Sequence, residues 1–215
     1  MKKWIAILLL LFPTFVFSHK TKEIKDEQTL EVYNVLKSDQ SIRHGDYQKF
    51  SFSGKLLAKG RYNNCQKEGV WDYYDYRSNL IQQYDYSINE FVFLKNTDKD
   101  KVFKVVEGDS VVDKKLDRPP LFLDGEVMMM ENIFRNIRYP GEARDNGVSG
   151  KVIISFIVGK DGKTCNHKVA KGIGYGCDEE ALRVVREIPD NWSPGLLNGE
   201  AVSVQFIMPV QFKIQ

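Results

Sequence analysis

An ungapped internal repeat constrains this chain more than any other feature. Residues 45–62, GDYQKFSFSGKLLAKGRY, lie over residues 69–86, GVWDYYDYRSNLIQQYDY, so that Tyr47 falls on Trp71, Phe50 on Tyr74, Leu56 and Leu57 on Leu80 and Ile81, and Tyr62 on Tyr86. Aromatic clusters separated by Ser-Gly and Ser-Asn turns predict β-hairpins. A hairpin of this size cannot bury its own face, so each copy must stack on the next. The aromatics read as the shared core of a small sheet, with a ligand-binding surface as the alternative. No third copy follows, although residues 91–94 and 102–106 supply further strand candidates.

Around the repeat the chain divides readily. Residues 19–40 form a charged lead-in with a weak helical spacing of Leu30, Val32, Val35 and Leu36. The repeat module spans 41–116. Asp117-Arg-Pro-Pro120 then interrupts both helix and central strand, because consecutive prolines lack N–H groups and fix φ, so 117–123 reads as a linker and 124–215 as a second domain. With 215 residues and 42% hydrophobic content, the chain can build one or two ordinary cores. Its 31 basic and 29 acidic residues give a formal charge of +2, without the basic surplus of a nucleic-acid groove, so no nucleic acid partner is expected.

The opening MKKWIAILLLLFPTFVFS places a basic pair before an apolar run and then Ser18, the order of a signal peptide. The run is shorter than the roughly 20 apolar residues of a spanning helix and contains Pro13. Residues 1–18 are therefore a cleaved leader or a short retained anchor, and both place the remainder in the periplasm. Export exposes Cys65, Cys165 and Cys177 to oxidising conditions. Three is odd, so at least one stays free or pairs between molecules. Cys165 and Cys177 are the candidate disulfide, against three separately buried thiols.

In the second domain Val127, Met130, Phe134 and Ile137 recur at helical spacing. Met128, Met129 and Met130 offer soft sulfur ligands, but consecutive helical residues point to different faces and cannot converge on one ion. Tyr139-Pro140 ends the helix. Residues 150–158 alternate as a strand, Lys160-Asp-Gly162-Lys163 turns the chain, and 164–169 returns. The glycine-rich Gly172-Ile-Gly-Tyr-Gly176 fits neither phosphate-binding fingerprint. Asp178, Glu179 and Glu180 would repel an anion but suit the positive end of a helix, with Asp178 as N-cap. Ala181, Leu182, Val185 and Ile188 form that helix's buried stripe, and Pro189 stops it. The chain's last strand, AVSVQFIMPVQF, puts Val202, Val204, Phe206, Met208, Val210 and Phe212 on one face.

No established catalytic motif stands out in this pattern. His19, His44 and His167 have no triad or metalloprotease spacing, and Cys165, His167 and Cys177 give three zinc ligands without recognisable spacing. Strand alternation places Cys165 and His167 on one face, which keeps a cysteine–histidine nucleophile as the alternative. A non-enzymatic chain without cofactor or metal is expected.

Two resemblances organise these motifs. Gly54-Lys55-Leu56, Gly60-Arg-Tyr62, Lys67-Glu-Gly-Val-Trp71 and Tyr73-Tyr74 resemble MORN-type β-hairpin repeats. Tyr139-Pro140, Gly150-Lys-Val152, Lys160-Asp-Gly162, Gly176-Cys-Asp-Glu-Glu-Ala-Leu-Arg183, Trp192-Ser-Pro-Gly195 and the last strand with Pro209 together resemble the TonB C-terminal domain in its Bacteroidetes-type version. That resemblance implies an α+β fold, a three-stranded antiparallel sheet with two helices in ββαβ order after a leading helix. It makes Tyr139, Pro140, Gly150, Asp178, Glu180, Trp192 and Pro194 family-motif residues. It also implies that the last strand lies at a sheet edge and receives a peptide of an outer-membrane TonB-dependent receptor as an added strand, through Ser203, Val204, Gln205, Phe206, Ile207 and Met208. An anchored protein of this type works with an ExbB and ExbD motor. A released one is a soluble interaction module, and a homodimer is a further partner option. An edge blunted against aggregation by Pro209 is the bland alternative. Two departures stand out: the loop at 188–192 is longer than the pattern, and a short leader with a hairpin module replaces a full anchor and proline-rich spacer.

Overall fold

The computed structural model describes residues 19–25, 29–51, 53–95 and 101–214. The leader, 1–18, lies outside them. Among the described residues no helix is long and apolar enough to cross a membrane.

The first half is a seven-stranded antiparallel meander of β1 (His19–Lys25), β2 (Thr29–Leu36), β3 (Arg43–Ser51), β4 (Leu56–Asn63), β5 (Gln66–Tyr74), β6 (Leu80–Asp85) and β7 (Glu90–Leu94), with spatial order equal to chain order. The internal repeat is the hairpin β3–β4 followed by the hairpin β5–β6. Its aromatics share one face: the Tyr47 and Trp71 ring centroids are 5.2 Å apart, and Tyr62 stands edge-on to Trp71 at 5.0 Å. Gly60 makes this stack feasible, because a Cβ there would lie 2.2 Å from the Trp71 ring. The lead-in, expected to be weakly helical, is instead β1 and β2. Tyr33 and Val35 are buried at a spacing of two residues, and packing on β3 outweighs the weak helical pattern.

Next come β8 (Val102–Glu107), β9 (Ser110–Lys115) and β10 (Leu121–Phe122), then the helices α1 (Glu126–Asn136) and α2 (Gly141–Asp145). They are followed by β11 (Gly150–Val158), β12 (Thr164–Lys171), α3 (Cys177–Arg186), β13 (Trp192–Ser193), β14 (Gly195–Leu197), β15 (Glu200–Val202) and β16 (Val204–Phe212). The second sheet has five strands in the order β12-β11-β16-β8-β9, not the three expected. The β8–β9 hairpin, assigned from sequence to the repeat module, crosses over to join β16. Short β10 pairs with β13 and β14 with β15. The main core combines Val152, Ile154 and Phe156 of β11, Met208, Val210 and Phe212 of β16, and Ala181, Val184 and Val185 of α3.

Helix α1 lies between the two sheets. Met129 and Ile133 enter the main core, while Met128 packs against the aromatic cluster of the meander. Consecutive methionines thus serve different cores, as helical geometry requires. Phe134, expected to be buried, is 48% exposed: a helix covered on two sides does not follow a single apolar stripe. The seam also buries polar groups. Lys49 of β3 meets Glu131 of α1 at 2.9 Å, both almost fully buried. The Gln82 side chain donates to the Phe122 and Leu123 carbonyls at 3.1 and 2.7 Å. The Asp124 carboxylate accepts from Tyr86 at 2.6 Å, from Tyr73 at 3.2 Å, and from Lys67. Burial pulls the Lys67 ammonium below its usual range, with Asp124 opposing that shift, while burial pushes the Tyr73 and Tyr86 phenols upward.

Candidate functional site: the two flanks of the last strand

One flank of β16 is fully occupied. It pairs with β11 in unbroken antiparallel register from Val204 opposite Val158 to Phe212 opposite Gly150. Val204, Met208, Val210 and Phe212 are buried, and half-buried Phe206 packs on Phe156 and Trp192 with centroids at 5.4 and 5.1 Å. Ile207, Pro209 and Gln211 face outward.

The register fixes where the backbone groups point. Pro209 stands opposite Ile153 inside the ladder, and because it has no N–H it must occupy a non-hydrogen-bonded position toward β11. Its nitrogen and carbonyl therefore turn to the other flank. By alternation, the N–H and C=O groups of residues 205, 207 and 211 turn the same way.

That second flank is shared. The Ser203 carbonyl accepts from the Val106 N–H at 2.8 Å, and Val204 and Gln205 pair with Val105 and Lys104 of β8. Val105, Leu116 and Val204 form a small separate core, with Phe103, Leu197 and Val202 packed on it. The expectation that residues 203–208 offer one continuous free edge is thus corrected. Ser203, Val204 and Gln205 are taken by the chain's own hairpin, whose apolar face is covered there. Beyond Gln205, no strand among the described residues pairs with this flank. The N–H and C=O of Ile207, the C=O of Pro209, and the N–H and C=O of Gln211 face it.

The remaining motif residues hold this platform in place. Tyr139 donates its hydroxyl to the Val148 carbonyl and sets its ring edge-on to Phe212 at 5.7 Å. Pro140 is the N-cap of α2, a third helix that the sequence pattern did not reveal. Gly150 begins β11, with Ile173 3.2 Å from where its Cβ would be. Glu180 accepts from the Arg138 N–H at 2.6 Å and pairs with Arg183. Arg183 also donates to the Asn136 carbonyl, latching α3 to the end of α1. The Arg183 hydrogen bond holds the Glu180 carboxyl below the usual range. Trp192 pairs with Phe122 across β13 and β10, and the Pro194 carbonyl accepts from Arg118.

Three sequence expectations change here. Asp178 is not the N-cap of α3, which is Gly176 in the left-handed region at φ 78°. Instead, Asp178 reaches back to accept from the Ile173 and Gly174 N–H groups at 2.8 and 3.2 Å, so the glycine-rich loop holds the chain's own carboxylate. Cys165 and Cys177 are both free, one exposed on β12 and the other buried in the main core at the start of α3. Cys165 and His167 do not share a face. Asn166 has φ 55° and the register shifts there, so Cys165 lies opposite Ile157 while His167 stacks on Phe156 at 5.1 Å. Burial lowers the pKa of that imidazole. Among the described residues no group of three or more histidine, cysteine or acidic side chains could hold a metal ion.

The geometry is that of a small α+β unit whose last strand, beyond Gln205, has no paired strand on one flank among the described residues. The family model for the Gram-negative bacterial TonB protein C-terminal matches residues 135–214, which span α2, β11, β12, α3 and β16. Over that segment, well under half of its length, the chain is similar to the TonB C-terminal family. No curated protein and no solved structure matches the chain.

Proposed function

We propose that this is a TonB-like, transport-linked periplasmic protein that accepts an extended segment of an outer-membrane TonB-dependent receptor as an added strand on β16, beyond Gln205. The observation that carries the reading is the flank, without a paired strand among the described residues, toward which Pro209 turns its nitrogen. A proline there interrupts nothing in the ladder to β11 and leaves Ile207 and Gln211 with donors and acceptors to offer. Two bonds at Ile207, one at Pro209 and two at Gln211, at roughly 0.5–1.5 kcal/mol net each, total a few kcal/mol before ordering costs. Such a contact is weak and reversible.

Ile207→Pro tests it. The Ile207 N–H is not used by β11, so the fold should keep its thermal midpoint, while binding of peptides from the periplasmic segments of outer-membrane receptors drops at least ten-fold by fluorescence anisotropy. Unchanged binding excludes this flank. Gln205→Pro is the poorer probe, since it breaks the chain's own contact with β8.

The packed seam favours a second reading for the same edge. The meander folds against α1 through Lys49 and Glu131, and against the residues just before α1 through Lys67 with Asp124 and Gln82 with the Phe122 and Leu123 carbonyls. This packed module in place of an extended spacer suits an interaction module released from the membrane over a force-transmitting partner of ExbB and ExbD. N-terminal sequencing of the mature protein separates the two: a start at His19 removes the anchor. The MORN-like character of the meander and a homodimer belong to this proposal as well, and sedimentation tests the latter.

A further inference from the structure

The unpaired stretch of β16 borders a cavity of about 580 Å³. Residues 206–209 line it, together with Ile81 and Leu94 of the meander and Met129 and Met130 of α1. None of those four belongs to the matched segment 135–214. Trp192 also forms part of the lining. It is only 5% exposed, and its indole N–H has no hydrogen-bond partner among the described residues. A buried donor left unsatisfied in a cavity wall calls for an acceptor from a bound molecule. Among the described residues the charged lining side chains are Lys95, Lys101 and Glu126.

We infer that this cavity is a side-chain pocket for the incoming strand, so that the N-terminal meander is part of the binding site and sets which segment is accepted. The inference rests on the strand-addition reading. The ligand is an extended peptide carrying one large apolar side chain that enters the cavity, an oxygen that accepts from Trp192, and an acidic residue nearby to meet the Lys95 and Lys101 ammonium groups. A free apolar molecule would fill the cavity but leave the Ile207 N–H and C=O unmatched, whereas a peptide strand satisfies both at once. The meander thereby acquires a role that its repeat pattern alone does not suggest.

The test selects random seven-residue peptides, displayed on phage, against the purified full chain. The expected consensus is a single Leu, Ile, Met or Phe beside Asp or Glu. Synthetic peptides of that consensus should lose at least ten-fold affinity for Ile207→Pro, and at least ten-fold for the cavity-filling variants Leu94→Trp and Ile81→Trp at unchanged thermal midpoints. Reselection on a filled variant should shift the apolar position to Ala, Ser or Gly. In the unsubstituted chain, peptide addition should move the indole N–H resonance of Trp192, assigned with Trp192→Phe, downfield; this readout stands even if a filled variant fails to fold. Peptides that need Ile207 yet bind the filled variants equally and leave the indole resonance in place overturn the pocket alone. Peptides indifferent to Ile207→Pro, or a selection without binders, overturn the docking reading with it.

Discussion

The two sheets of this protein solve the same problem in opposite ways. In the meander every strand pairs with its neighbours in sequence, and the inner face is a row of tyrosines and one tryptophan with Lys49 and Gln82 buried among them. In the second sheet, β16 lies between β11 and β8, segments far apart in the chain, and the core is mostly aliphatic with phenylalanines. Local pairing lets a repeat specify a stack through turns and alternating aromatics. Distant pairing needs a helix and a hairpin brought in from elsewhere, and it leaves an incomplete edge where the imported hairpin ends. The regular sheet supplies a wall and the irregular one supplies the unpaired backbone.

The sharpest way to break this contrast is at Trp71, the ring that joins both copies of the repeat. Trp71→Ala should cost about 3–5 kcal/mol by chemical denaturation, and hydrogen exchange should rise first in β3 to β6. Loss of protection in β11 and β16 at the same denaturant concentration would mean that the two sheets unfold as one unit. A somewhat smaller loss, about 3 kcal/mol, is expected for Lys49→Met, which leaves the Glu131 carboxylate buried without its main partner. Adding Glu131→Leu should restore most of it, because two apolar groups in place of a buried ion pair are often neutral. The mildest test uses pH. Burial raises the phenol pKa values of Tyr47, Tyr73 and Tyr86 in the folded state. Their contribution is complete below the unfolded tyrosine value near about 10 and declines as pH rises from there toward the folded values, since only the unfolded chain then gives up the proton. Alkaline titration followed by circular dichroism and exchange should therefore loosen the meander before the β11–β16 ladder.

What could be read from sequence follows the same division. The paired hairpins, the turn around Gly162, the stripe of α3 and the alternation of β16 are local patterns, and they lie where the residues indicated. The destination of β8 was not legible, because Val102 to Glu107 reads equally well as the next strand of a repeat. Nothing near residue 105 announces that its partner is Val204. The same limit concealed the second face of α1: the methionines read as core filling, but two cores cannot be told from one in a periodicity. The bulge at Asn166 is invisible to strand alternation, which assumes no inserted residue and so puts Cys165 and His167 on one face. Asp178 reads as a helix-start residue, but its carboxylate serves the preceding loop, where Gly172 leaves room for it and the Ile173 and Gly174 N–H groups donate to it.

The position of α1 also governs how this molecule can be dissected. A cut within residues 117–123, where the prolines invite a boundary, would strip the meander of the helix that covers its aromatic face. The same cut would leave β8 and β9 on the wrong fragment, taking from β16 the strand that shields Val204. Each fragment would carry a raw hydrophobic wound, and the two would be expected to find each other again in solution before either behaved as an independent unit.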